Sequence, residues 1–159
     1  MPTIHLIHGF MGFGKTTLSK RLEKELPAIR LTHDEAMIKR YGRNSEDFSQ
    51  ERYQIIDAQI KEQAAIEIKK GNNVIMDYGF WEKHIRQKYY EWAKTLTTDV
   101  IFHALRCDIQ TAKKRVLNRT KTNLNEFYID EALFNDRLKR FEPMTKDENI
   151  PVIFYDTND

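Results

Sequence analysis

Hydrophobic and polar positions along this chain alternate between short apolar runs and stripes that repeat about every four residues. Thr3 to His8, TIHLIH, is β-branched and apolar and ends at Gly9, the pattern of a buried strand entering a turn. Beyond the next glycines, Leu18, Leu22 and Leu26 recur at helical spacing until Pro27 stops them. Ala28 to Thr32 predicts a second strand. A long helical region follows, with Tyr53, Ile56, Ile60 and Ala64 on one face and Gly71 as its C-terminal stop. Val74-Ile75-Met76 predicts a third strand, Ile85, Tyr89, Trp92 and Leu96 another helical stripe, and Val100 to Leu105 a fourth strand. A basic helix over roughly Ile109 to Arg119, the polar stretch TKTNLNE, a helix carrying Phe134, Leu138 and Phe141, and a strand from Val152 to Tyr155 complete the pattern. Such alternation implies right-handed βαβ units, hence a parallel sheet covered on both faces.

Composition bounds what this chain can be. At 159 residues, with no internal repeat and no dividing linker, a single domain over 1–159 is expected. A hydrophobic share of 40% with 31% charged residues is that of a globular protein, not a disordered one. The 26 basic and 24 acidic residues leave a net charge of +2 spread along the chain, so no footprint for a nucleic-acid backbone stands out. No run approaches membrane-spanning length. One cysteine, Cys107, excludes an internal disulfide, and with no leader-like N-terminus a reducing, cytoplasmic setting is expected. A monomer is slightly favoured.

Three of the six glycines fall within GFMGFGKTT, residues 9–17. Gly9, Gly14, Lys15 and Thr16 satisfy G-x-x-x-x-G-K-[ST] between a predicted strand and a predicted helix, the phosphate-cradle context. The backbone of Gly9, Met11, Gly12, Phe13 and Gly14, continuing through Lys15, Thr16 and Thr17, would curl its amides around phosphate oxygens, and the helix adds its positive end. Lys15 would reach the β- and γ-phosphates and the Thr16 hydroxyl would bind Mg²⁺. Nucleotide binding is the strong expectation.

GTPases, ATPases and kinases share this cradle, so the rest of the chain must discriminate. The stretch TKDE at Thr145 to Glu148 comes near a guanine-reading motif but has Glu where Asp is needed and follows no strand. A compact kinase remains. The sequence resembles the small P-loop kinases, a group that includes chloramphenicol phosphotransferase and the kinase domain of polynucleotide kinase. The likeness covers most of the chain and rests on GFMGFGKTT, RLTHDE, VIMDYGFWEKHIR, RVLNRT and RFEPMTKDE in that order. It implies an α/β P-loop NTPase three-layer sandwich with a five-stranded parallel sheet in the order 2-3-1-4-5, helices on both faces and a short helical lid over approximately 115–130. It also implies ATP and Mg²⁺ as cofactors and phosphate transfer to the hydroxyl of a small molecule.

Within that resemblance Asp34, at the end of the second strand, is the candidate general base. The bland reading is a helix start, since Thr32 and Glu35 match a capping box. Asp77 closes the third strand and is the candidate metal acid beside Thr16; a turn-forming Asp is the alternative. Arg115 and Arg119, four apart on one helix side, occupy the lid region and would neutralise charge on the transferred phosphoryl group, Arg119 also touching nucleotide. Lys113 and Lys114 keep a solvated basic face as the alternative. Arg86 is a weaker candidate for a substrate contact. Phe80 and Trp81 could wall a substrate, although core packing is the preferred expectation. His33 is the one histidine worth watching, and Cys107 an inert thiol. Two other functions stay open: a kinase for the 5′ hydroxyl of a polynucleotide, against which the charge speaks, and a non-catalytic ATP-binding regulatory module.

Overall fold

The computed structural model describes residues 1–44, 49–123 and 126–158. Five parallel strands, β1 (Thr3–His8), β2 (Ala28–Thr32), β3 (Asn73–Gly79), β4 (Asp99–Arg106) and β5 (Val152–Asp156), form one sheet in the order β2-β3-β1-β4-β5. The helices are α1 (Lys15–Glu25), α2 (His33–Tyr41), α3 (Gln50–Lys69), α4 (Lys83–Lys94), α5 (Ile109–Thr122) and α6 (Glu131–Leu138). This is the expected sheet order. Two apolar cores flank the sheet: one joins Leu6, Met76 and Phe102 to α3 and α4, the other joins Ile7, Ile75 and Leu105 to α1, α5 and Phe134. Among the described residues, no helix is long and apolar enough to cross a membrane.

The region after β2 departs from the expected single long helix. Gly42, at φ 93°, ends α2, and α3 restarts behind Ser49, whose side chain accepts the Arg52 amide. The apolar stripe expected there holds in α3, where Ile56, Ile60 and Ala64 are buried. The capping box offered as the alternative reading at Thr32 does not form. Thr32 is the N-cap residue of α2 but makes no side-chain cap bond, and Glu35 instead pairs with Arg30 at 2.8 Å. A capping box does occur at TKDE, where Thr145 and Glu148 satisfy each other's backbone around a 3₁₀ turn. Its likeness to a guanine-reading motif is therefore local turn chemistry.

Arg86, only a weaker candidate for a substrate contact, is fully buried instead. Its guanidinium forms a two-pronged pair with Glu148, Nε to Oε1 at 2.8 Å and Nη2 to Oε2 at 2.9 Å, while Nη1 reaches the carbonyls of Phe80, Trp81 and Glu142. Burial works to raise the Glu148 carboxyl, but the Arg86 hydrogen bonds and charge outweigh it and hold it below its usual range. Phe80 takes φ 47°, a strained value for a side-chain-bearing residue, and its carbonyl is held by both Arg86 and His8. As preferred from sequence, Phe80 packs in the core, against Tyr78, Tyr89 and Phe102.

Buried histidines make the fold acid-sensitive. His5 Nδ1 lies 2.8 Å from His103 Nε2, and His103 Nδ1 lies 2.7 Å from the Tyr155 hydroxyl, a chain across β1, β4 and β5. Burial pushes His103 down to about 4 and lowers His5. His8 is pushed down to about 4 by burial and by the nearby Arg86 charge; its Nδ1 faces the Gly79 and Phe80 carbonyls while its Nε2 accepts the Met144 amide, which fixes a neutral ring. Because these folded values lie below that of a free histidine, the unfolded chain binds more protons between about pH 6.5 and 4. Stability is fully present above that window and lost as the pH falls through it. The melting temperature should therefore drop steeply from pH 6.5 to 4.5, and a flat profile would contradict these ring environments.

Candidate functional site

The nucleotide cradle grows from the end of β1. Gly9 donates its amide to Gly79 O at 3.0 Å, tying the loop to β3, and Phe13 donates to Phe10 O at 3.1 Å to close the turn. Gly14, at φ 95°, is the N-cap residue of α1 and has no side chain to cap with, so the first-turn amides are left for a ligand. Phe10 and Phe13 are buried in the core on the far side, with Phe134 and Phe141 packed against Phe10, so apolar contacts hold the loop backbone from behind. Lys15 folds over the loop and donates to Phe10 O at 3.2 Å. Enclosure lowers its ammonium pKa, against which Asp77 and Asp34 pull upward.

Gly12 is required for a steric reason. It has φ 80°, and a Cβ there would lie 2.4 Å from Ala112 O of α5. Gly12→Ala should therefore displace the loop from α5 and reduce nucleotide affinity at least tenfold, read by calorimetric titration. Unchanged affinity would show that the loop tolerates a different path.

Acids and cations converge on Lys15. Asp77 is buried at the end of β3, in register with Ile7 and Thr32, and its Oδ2 accepts from Ser19 Oγ at 2.8 Å and pairs with Arg30 at 3.5 Å. Among the described residues these contacts all fall on Oδ2. Arg30 also donates to Ser19 Oγ at 2.8 Å, so β2, α1 and β3 share one polar joint. Asp34 lies in the first turn of α2 and is open to solvent, yet protein surrounds it closely enough to undersolvate its charge. Its pKa is pushed up to about 6, by that desolvation first, with Lys15 opposing and Asp77 and Glu126 adding to the rise. Asp34 does stand at a helix start, as the alternative reading had it, although without the Thr32 capping box. Thr32 Oγ1, beside it, is buried without a hydrogen-bond partner.

The two arginines expected together do different things. Arg115 ties α5 to the loop, donating from Nη1 to Gly12 O at 3.1 Å and from Nη2 to Thr157 O at 2.6 Å. Arg119, one turn on, is among the charges felt by both Lys15 and Asp34. Both line a cleft of about 430 Å³ with Gly12, Gly14, Thr17 and Tyr155, large enough for a nucleoside. The expected lid includes Leu124 and Asn125, which lie outside the described residues. Trp81 is half-buried against Phe10, 4.9 Å between ring centres, and Cys107 is half-buried with Arg115 Nη1 3.4 Å from its sulfur. His33 is buried under Tyr53, 4.0 Å ring to ring. Sequence reasoning missed Ser19, Arg30, Glu126 and Glu148. Only Glu148 carried a sequence signal, its spacing from Thr145.

A strand, a glycine loop and a helix closing on a lysine, in a sheet of order 2-3-1-4-5, define a nucleotide-binding protein of the P-loop NTPase type. The family comparison agrees: residues 4–144 match the model described as AAA domain, and the chain belongs to that family. No curated protein matches. Among solved structures, a candidate kinase from Chloroflexus aurantiacus superposes with a TM-score of 0.78 at 19% identity, covering 99% of this chain and 89% of that one. A gluconokinase from Sinorhizobium meliloti gives 0.66 at 16% identity, with 99% and 84% covered. Kti12 from Chaetomium thermophilum, in complex with ADP-AlF3, gives 0.70 at 14% identity, with 96% and 88% covered. At such identities the likeness is one of fold, and the fold is that of P-loop kinases.

Proposed function

We propose that this protein transfers the γ-phosphate of ATP to a hydroxyl of a small molecule. The observation that carries the reading is Asp34: a carboxyl with its pKa pushed up to about 6, electrically coupled to the cradle lysine. A base of that strength is half-charged near pH 6 and charged at neutral pH, suited to accept the proton of an attacking hydroxyl. Lys15 and the loop amides hold the phosphates, Asp34 receives the proton, and Arg119 offsets charge on the phosphoryl oxygens in flight.

Mg²⁺ fits the donor set. Thr16 Oγ1 and the free oxygen of Asp77 are hard oxygen donors, and Ser19 and Arg30 fix the Asp77 carboxyl through its other oxygen. When bound, the ion would neutralise charge on the β- and γ-phosphates. Arg115, anchored to Gly12 O, would support the loop and the nucleoside side of the cleft.

The acceptor is sought by offering γ-labelled ATP with pooled sugars, nucleosides, antibiotics and 5′-hydroxyl oligonucleotides. Label should appear in a small-molecule pool and vanish with Lys15→Ala. Label only in the oligonucleotide pool would support a nucleic-acid kinase, and ATP binding with no transfer to any pool a regulatory module.

A further inference from the structure

Arg43, two residues beyond the end of α2, is tied by its side chain to the end of α5 and the residues just after it. Arg43 donates from Nε to Glu126 O at 2.9 Å, and from Nη2 to Thr120 O at 3.1 Å and Asn123 O at 3.3 Å. The main chains join as well: Tyr128 donates its amide to Arg43 O at 2.9 Å, and Asn44 and Tyr128 form an isolated parallel bridge. Thr120 lies in the last turn of α5, where helix carbonyls lack intrahelical donors and carry the negative end of the dipole; Asn123 is the C-cap residue and Glu126 follows it. A guanidinium fork suits such a cluster in a way that a single ammonium does not.

That last turn carries Arg119. The buried Thr120 next to it accepts the Ile129 amide at 3.0 Å, so the turn is fixed from a second side. Arg119 is felt by both Lys15 and Asp34, whereas Arg115 is anchored to Gly12 O and Thr157 O. Asp34 lies at the start of α2, and Arg43 follows the end of that helix. Arg43 therefore links the element bearing the acid to the element bearing Arg119, which lines the cleft beside Gly12 and Gly14 of the loop.

We infer that Arg43 is a positioning residue: its clasp on the end of α5 holds Arg119 where a terminal phosphate would sit, and so sets the preference for a nucleoside triphosphate over a diphosphate. The inference rests on the triphosphate-binding reading given above. Arg43 itself touches no phosphate, so its effect passes through Arg119. Releasing the clasp lets the last turn of α5 fray, which weakens the γ-phosphate contact and leaves the cradle around the α- and β-phosphates intact.

Calorimetric affinities for Mg·ADP and for a non-hydrolysable Mg·ATP analogue test this in the wild type, Arg43→Ala, Arg119→Ala and the double variant. Arg43→Ala should weaken the analogue roughly fivefold to tenfold and leave ADP within about twofold, and in the Arg119→Ala background it should add nothing. Arg43→Lys, which keeps a cation at the helix end, should show the same selective loss to a smaller degree, and it carries the test if the alanine variant does not fold. Equal losses for both nucleotides, no loss, or full additivity with Arg119→Ala would overturn the inference while leaving nucleotide binding standing. A wild type that binds neither nucleotide overturns the underlying reading, and this inference with it.

Discussion

Asp34→Asn should reduce phosphoryl transfer by about two to four orders of magnitude, the range for removing a positioned general base, while the variant still binds ATP. Asp34 sits where Lys15, Asp77, Arg119 and Glu126 all act on its carboxyl, and desolvation dominates, giving a pKa of about 6. Asparagine keeps the shape and removes both the charge and the proton-accepting capacity. Transfer by the wild type should rise with pH through about 6 and then level, a limb that the variant lacks. Stability separates this outcome from misfolding. A carboxyl whose folded pKa lies above its unfolded value costs stability at neutral pH, a cost that sets in as the pH rises from about 4 through 6. Asp34→Asn should therefore melt no lower than the wild type at pH 7. A variant that transfers phosphate at the wild-type rate would assign the proton to another group.

The largest effect on stability is expected at Arg86. Arg86→Met would leave Glu148 as a buried charge without its partner and take one donor from each of the Phe80, Trp81 and Glu142 carbonyls. Breaking such a pair from one side costs about 3–5 kcal/mol. For a chain of this length that is a fall of roughly 10 °C in melting temperature. The damage also has a route to the nucleotide site. Arg86 helps hold the strained Phe80 carbonyl, and Gly79, just before it, accepts the Gly9 amide that begins the phosphate loop. Replacing Arg86 and Glu148 together by apolar residues of similar size should recover much of the loss, because neither charge is then left stranded. A single variant that melts like the wild type would show that the pair contributes nothing net.

Where a pattern in this sequence is set by local chemistry, it reads directly as structure. The loop from Gly9 to Thr16 is one such case, since its glycines answer a backbone requirement that no other residue type meets at φ 80° and 95°. Strand ends are another: Asp34 and Asp77 follow apolar runs, and parallel sheets put ligands at those ends. The parts that could not be read depend on partners distant in sequence. Arg86 shows nothing of its buried role until Glu148, 62 residues on, is brought against it. Arg43 meets its acceptors at a separation of 77 to 83 residues. The capping-box pattern at Thr32 fails for a local reason: it has the right letters, yet Arg30, five residues before Glu35 on the same β2 that ends at Thr32, draws Glu35 away. Arg115 and Arg119 share one helix face, but the loop carbonyl at Gly12 holds the first, while the charge of the second acts on Asp34 and Lys15.

The most direct measurement is a crystal structure of the protein with Mg²⁺, ADP and aluminium fluoride, which stands in for the phosphoryl group in flight. The account predicts the fluoride group bonded by Lys15 and the loop amides, with the Asp34 carboxylate facing it from the opposite side across room for one acceptor oxygen and Arg119 alongside. A fluoride group facing open solvent, or an Asp34 carboxylate turned away from it, would contradict the account.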